Sequence, residues 1–192
     1  MCIRDRRSIF QTFLWKVVEV AAKLVAGDPS NEATEVGPLI RVSEAERVEA
    51  WVKEAVAGGA KLVTGGERKG SMIEPAILTA TAPGMKLHDE EIFGPVLAIE
   101  PYDDFEDALA RVNRSKYGLQ AGLLTRDSSR ILTAYRELEV GALIIGDTPS
   151  WRLDPMPFGG VKDSGLGREG IRCAIEEMTE PRMLVMSGIG QG

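Results

Sequence analysis

The residues best suited to chemistry lie between His88 and Val96. His88-Asp89-Glu90-Glu91-Ile92-Phe93-Gly94-Pro95-Val96 sets adjacent carboxylates ahead of an aromatic, a Gly-Pro turn and an apolar run that reads as a strand. The carboxylates therefore stand at a strand rim. A carboxylate there can accept two hydrogen bonds from a vicinal diol such as a ribose, each charge-assisted bond worth roughly 1.5–3 kcal/mol. Phe93, two residues beyond Glu91, can lie against a planar ring. The same residue types also fit a solvated acidic turn with Phe93 plugging the core. A second segment, Gly165-Leu166-Gly167-Arg168-Glu169-Gly170, spells G-x-G-x-x-G. That fingerprint needs a strand directly before it and an acidic residue about twenty positions on. Residues 158–164 hold a Gly pair and no apolar run, so the segment reads as a tight turn into a helix, with Ser164 near the cap. Cys2 and Cys173 lie far apart and His88 is the sole histidine, so no pair has metal-ligand spacing and no metal is expected. Cys173, among apolar neighbours in a helical stretch, reads as core.

The surrounding elements follow from periodicity. Apolar residues recur at helical spacing over residues 8–26, where Gly27-Asp28-Pro29 ends the pattern. Ser43, with Glu46 three residues on, has capping-box spacing and opens a helix to about residue 57. Strands are expected at 60–64 and 72–79. Then strand and helix alternate: strand 96–100, helix 105–113, strand 119–125, helix 128–138, strand 140–145. That alternation marks βαβ units with right-handed crossovers and an apolar parallel sheet covered on both faces, hence an α/β fold. Residues 146–170 break the pattern with three prolines and five glycines from Gly159 onward, yet keep Trp151, Met156 and Phe158; so long a loop inside a domain points to function. A helix over 168–178, a strand over 182–186 and a Gly-rich tail over 188–192 complete the chain.

Composition narrows the function classes. Of the 192 residues, 44% are hydrophobic and 27% charged, an ordinary globular balance. The formal net charge of -6 disfavours nucleic acid or an anionic membrane surface as partner. No apolar run reaches membrane-spanning length. The sparse cysteines suit a reducing, cytoplasmic setting. Residues 1–6, Met1-Cys2-Ile3-Arg4-Asp5-Arg6, match the translation of a transposon-end sequencing adapter and are expected to be a non-native leader; a natural, disordered start is the alternative.

Four ordered segments carry a family resemblance. Gly27-Asp28-Pro29 with Val36-Gly37-Pro38-Leu39-Ile40, Glu91-Ile92-Phe93-Gly94-Pro95-Val96, Asn113-Arg114-Ser115-Lys116-Tyr117-Gly118-Leu119 and Pro157-Phe158-Gly159-Gly160-Val161-Lys162-Asp163-Ser164-Gly165 resemble signatures of the aldehyde dehydrogenase superfamily, in family order. The resemblance implies the C-terminal part of an enzyme using NAD or NADP. Its expected organisation is a partial catalytic domain at 7–178 and an oligomerisation strand and tail at 179–192. It assigns Glu91 to the nicotinamide-ribose hydroxyls and Phe93 to the nicotinamide. The loop over 148–158 would wall the aldehyde tunnel, with Trp151 and Phe158 as linings, although Trp151 fits plain packing equally well. Arg152, beside Trp151, offers a guanidinium fork for an anionic or strongly polar aldehyde; an ion pair with Asp154 or Asp147 is the alternative.

The resemblance also defines what this sequence lacks. Family chemistry uses a cysteine thiolate, a glutamate base and oxyanion donors. The cofactor-binding half and that base fall upstream of the matched segments, and Cys2 stands too close to the following helix to be the nucleophile. No catalytic residue is therefore assigned, and the chain by itself is expected to be inactive. The complete protein is expected to be a homo-oligomer. A non-catalytic module that pairs with full-length subunits, and an enzyme of the acylating type, are the competing readings.

Overall fold

A computed structural model describes residues 1–188 and Gly190; Ile189, Gln191 and Gly192, part of the expected Gly-rich tail, lie outside the described residues. Backbone contacts divide the chain into two units, Met1–Ala108 and Leu109–Gly192.

The first unit runs β1 (Cys2–Arg6), α1 (Arg7–Ala21), α2 (Val42–Ala57), β2 (Lys61–Thr64), β3 (Arg68–Lys69), β4 (Met72–Ile73), β5 (Ala76–Thr79), α3 (Lys86–Asp89) and β6 (Val96–Tyr102); α4 (Phe105–Asn113) spans the division. One sheet has the order β1-β6-β5-β2. β1 and β5 both run parallel to β6, and β2 closes the edge antiparallel to β5. Successive side chains of a strand face opposite ways, and the core follows that alternation. Leu78 and Ala98 pack with Ala45, Val48 and Val52 of α2 on one face. Ile77 and Ile99 pack with Phe10, Leu14 and Val17 of α1 on the other. Leu78 and Ile99 are wholly buried; burial at about 25 cal/mol per Å² of apolar surface makes this double-sided layer the main stabilising feature of the unit. The hairpin of β3 and β4 is clamped to α2 by Arg68, which donates to Glu49 at 2.8 Å.

The second unit holds β7 (Tyr117–Gly118), β8 (Gln120–Leu123), α5 (Ser128–Glu137), β9 (Ala142–Ile145), β10 (Val161–Lys162) and α6 (Ile171–Met178). β8, α5 and β9 form the expected parallel βαβ unit, in register from Gln120↔Ala142 to Leu123↔Ile145. Asp127 caps α5 by accepting from the Ser129 and Arg130 amides at 2.9 and 3.3 Å. β10 pairs antiparallel with β7.

Several sequence expectations change on folding. α1 ends at Ala21 rather than near residue 26, because the Val25 and Gly27 backbones turn away to pair with Glu35 and Val36. α2 starts at Val42 without a side-chain cap, so the Ser43–Glu46 capping box does not form; Glu46 faces Arg68 instead, at 3.7 Å. The strand expected over 72–79 splits at Glu74-Pro75, where Gly65 (φ 71°) comes so close that a Cβ would lie 1.9 Å from the Pro75 carbonyl oxygen. β6 is separate from the β8–β9 pair, so the expected run of parallel strands is distributed over two sheets. Strands β8 and β9 are mostly half-buried. α6 begins at Ile171, after Gly170 at φ 129°, since Glu169 is drawn into pairing with Phe158. Cys173 is half-buried on a helix with no buried residue, not in a core. The strand expected over 182–186 does not form in the single chain: its apolar residues Met183, Leu184, Val185 and Met186 are exposed, and a strand needs a neighbour to satisfy its backbone.

Residues 2–6 form β1 at the sheet edge, with Cys2 packed on the α2 side and Ile3 on the α1 side. The fit is imperfect: Arg4 Nε and Asp5 Oδ2 are buried with no hydrogen-bond partner among the described residues. An unsatisfied buried polar group costs about 1–3 kcal/mol. Replacing both by β-branched apolar residues (Arg4→Ile with Asp5→Val) is expected to raise stability by about 1–3 kcal/mol; urea denaturation of the two proteins measures it, and an unchanged or lower midpoint refutes it.

Candidate functional site

In the first unit, a cleft of about 590 Å³ is lined by Pro38, Leu39, Ile40, Arg41, Glu44, Arg47 and Phe93. Arg47 organises it. Its Nε donates to Glu44 at 2.9 Å, one turn back on α2, and its Nη2 donates to the Ile92 carbonyl at 2.8 Å. The guanidinium also lies 4.6 Å from the centroid of the Trp51 ring, within cation–π range. α2 thereby grips the segment that precedes β6. Ile92 is the buried anchor of that segment, and Gly94 passes so close to Val48 that a Cβ would lie 3.0 Å from its Cγ2. Between these fixed points Phe93 takes a left-handed conformation (φ 45°) and turns outward, 75% exposed. Phe93 is therefore not the core plug that residue types alone allow. Glu91 is exposed, with no ion-pair partner among the described residues, but it is not among the residues that line the cleft.

Sequence reasoning missed Arg41, Glu44 and Arg47. The signal was present: they follow directly on Gly37-Pro38-Leu39-Ile40, and Glu44 and Arg47 share one helix face at i,i+3 spacing. Their mixed charge beside apolar Ile40 and Phe93 suits a ligand that is part ring and part polyol or phosphate.

In the second unit, the long loop rests on close backbone approaches. A Cβ on Gly141 would lie 1.7 Å from the Gly159 carbonyl oxygen, and one on Gly160 would lie 2.4 Å from Ser164 Cβ. The Gly118 amide donates to Ser164 Oγ at 3.0 Å, so Ser164 secures β7 rather than capping α6. Lys162, itself left-handed at φ 56°, donates from Nζ to the Asn113 and Ser115 carbonyls at 2.7 and 3.2 Å and pairs with Glu139. Asn113 in turn donates to the Glu137 carbonyl at 2.6 Å and accepts from the Glu139 amide at 2.9 Å.

This scaffold carries the expected substrate residues. Phe158 is half-buried and exchanges backbone hydrogen bonds with Glu169 at 2.9 and 2.6 Å. Arg152 lies over the Phe158 ring, 4.1 Å from its centroid. Its partner is neither Asp154 nor Asp147 but Glu169, at 3.4 Å. Trp151 is 41% exposed, with its amide donating to the Thr148 carbonyl, so it is not a core residue. The two-residue β10 does precede the G-x-G-x-x-G run, but it is partly exposed and separated from it by a turn, and no phosphate-type strand–turn–helix results.

Cys2 offers no thiolate. Burial pushes its thiol pKa up, only partly countered by Arg4, so the group stays neutral.

Comparison with known proteins places this geometry. The model of the aldehyde dehydrogenase family matches residues 6–184. A 3-sulfolactaldehyde dehydrogenase of Priestia megaterium is 51% identical over 97% of this chain and 40% of its own length. Aldehyde dehydrogenase 21 from Physcomitrella patens, solved in complex with the reaction product succinate, superposes with a TM-score of 0.97 at 40% identity, covering 100% of this chain and 40% of that one. A glyceraldehyde-3-phosphate dehydrogenase from Methanocaldococcus jannaschii, complexed with NADP, gives a TM-score of 0.89 at 40% identity over 92% of this chain and 38% of that one. The chain thus spans about 40% of the length of these relatives, and the α/β fold with parallel strands is theirs.

The close approach at Gly141 generates a direct test. Gly141→Ala is expected to destabilise the protein by at least ~2 kcal/mol, because the added methyl meets backbone that cannot retract. A thermal midpoint equal to that of the parent chain would show that the loop does not pack there.

Proposed function

Since the chain belongs to the aldehyde dehydrogenase family, we propose that the complete protein oxidises an aldehyde to a carboxylate with NAD or NADP, and that this chain supplies part of its catalytic domain, residues 7–178. The observation that carries this reading is the agreement in fold along the whole chain with aldehyde dehydrogenase 21, at a TM-score of 0.97.

The residues present suit a nicotinamide cofactor. Glu91 is an exposed carboxylate able to accept from the two hydroxyls of the nicotinamide ribose, and Phe93 offers an exposed ring face beside a cleft carrying Arg41 and Arg47. When bound, the nicotinamide supplies the hydride acceptor. Arg47 keeps the segment bearing Phe93 in place through the Ile92 carbonyl. Trp151 and Phe158 line the aldehyde path, and Arg152 binds an anionic group on the substrate. That assignment is supported by the name of the Priestia megaterium relative, whose aldehyde bears a sulfonate. Among the described residues no group takes the nucleophile's role: Cys2 is a half-buried thiol whose pKa burial raises, and Cys173 is half-buried on α6. The exposed run Met183–Met186 is the segment that would pair with another subunit in a homo-oligomer. No helix among the described residues is long and apolar enough to cross a membrane; we place the complete enzyme in the cytoplasm.

Two experiments test the reading. The purified chain, incubated with NAD+ or NADP+ and a panel of aldehydes, is expected to yield no steady NAD(P)H; sustained turnover would overturn the inactive-fragment assignment. In the complete enzyme, Arg152→Leu is expected to lower kcat/KM for a sulfonated aldehyde, relative to a neutral one of similar size, by about 10- to 100-fold, the value of a charged hydrogen bond. Unchanged discrimination would remove Arg152 from the site.

A further inference from the structure

Arg152, Phe158 and Glu169 form one mechanical unit. The Arg152 guanidinium lies on the Phe158 ring, the Phe158 backbone is paired with that of Glu169, and the Glu169 carboxylate returns to Arg152. The reciprocal backbone bonds fix where the Glu169 side chain starts, and Gly170, at φ 129°, turns the chain away into α6 directly after it. Yet the ion pair that closes the unit is loose. A single contact from Arg152 Nη2 to Glu169 Oε2 measures 3.4 Å, and the Glu169 side chain is 72% exposed. Arg7 shows what a committed fork looks like in the same protein: it engages Asp103 through three contacts of 2.7–2.9 Å. A guanidinium has five donors, so one long contact to one oxygen leaves most of the fork available.

We propose that Glu169 is an internal stand-in for the substrate's anion. It occupies Arg152 until a sulfonate, phosphate or carboxylate on the aldehyde displaces it, and thereby sets how strongly the site favours charged over neutral aldehydes. The proposal rests on the reading of Arg152 as the substrate's anion contact. The physical logic is competition. A tetrahedral anion offers three oxygens to the planar fork, whereas Glu169 presents one oxygen at long range, so the exchange favours the ligand. Phe158 holds the guanidinium face in both states, so little reorganisation accompanies the exchange. In the free protein, Glu169 neutralises Arg152 and weakens its attraction for unrelated anions. Glu169 is thus a specificity-setting residue that acts through Arg152 rather than by touching the reacting carbonyl.

The test uses the chain itself, with ethanesulfonate as the anionic probe and ethanol as the neutral control. Arg152 Nε–H and Trp151 indole resonances report binding in isotope-labelled protein. Ethanesulfonate is expected to bind the parent chain weakly and the Glu169→Gln chain about two- to fivefold more tightly, the range released with an exposed ion pair. Arg152→Leu is expected to abolish the saturable shift at Trp151, and ethanol is expected to distinguish none of the three. Glu169→Asp, whose carboxylate is one methylene short of Arg152, is expected to tighten binding in the same direction and serves if the glutamine variant does not fold. Should Arg152→Leu lose binding while neither Glu169 variant gains it, the stand-in role is overturned and the Arg152 reading stands. Should the parent chain not bind, or bind no better than Arg152→Leu, the Arg152 reading falls and the stand-in role with it.

Discussion

A peptide group outside a helix or sheet still needs hydrogen-bond partners, and that requirement shapes both candidate sites. The side chains that meet it come from the segments on which the family resemblance rests, or from the helix beside them. Arg47 satisfies the Ile92 carbonyl. Asn113 serves the Glu137 carbonyl and the Glu139 amide, and Lys162 serves the carbonyls of Asn113 and Ser115. Ser164 takes the Gly118 amide. These residues act as mechanical ties for irregular backbone, and none of them needs to meet a substrate to be indispensable to the site. The glycines among them allow the approach: at Gly141 and Gly160 the neighbouring atoms occupy the space of a side chain.

Fixing irregular backbone in this way lets it hold unfavourable conformations. Phe93 and Lys162 both sit at left-handed φ, which costs a non-glycine residue roughly 1–2 kcal/mol. Each lies between anchors that leave no alternative: Ile92 and Gly94 against α2 in one case, the Asn113 carbonyl and Glu139 in the other. Alternation along an extended chain already sets position 93 opposite Ile92 and Val96; the left-handed turn occurs at that outward position, where Phe93 lines the cleft.

The charged residues also differ in how firmly they are engaged. Arg68 donates to Glu49 at 2.8 Å and to the Gly70 carbonyl at 3.1 Å, and Arg7 engages Asp103 through three contacts of 2.7–2.9 Å, so both tie parts of the fold together. Arg152 is only loosely engaged and rests on an aromatic platform, the arrangement expected of a group that exchanges partners. Glu91 is likewise an exposed carboxylate with no ion-pair partner among the described residues. In this chain, which spans about 40% of its relatives' length, the Cys2 thiol is half-buried and its pKa is raised by that burial.

The family, the α/β class and the principal helices α1, α2, α4 and α5 were readable along the chain, because motif residues and apolar periodicity are properties of neighbours in sequence. α4 was legible to its end residues and α5 to within one, and the parallel βαβ pair of β8 and β9 followed from the alternation alone. The cap of α2 was less legible than its start: Ser43 looks like a cap, but the helix has no side-chain cap and Glu46 faces a distant partner in Arg68. The strand expected over 182–186 could not be decided from pattern, since a strand exists only where another backbone lies beside it. Folding was needed to show that Phe93 faces out while Ile92 faces in, that Arg47 belongs to the cleft, and that Arg152 pairs with Glu169, seventeen residues on, rather than with the aspartates beside it. Each depends on contacts between segments distant in sequence, and local spacing carries no information about which distant carbonyl, ring or carboxylate will be brought within reach.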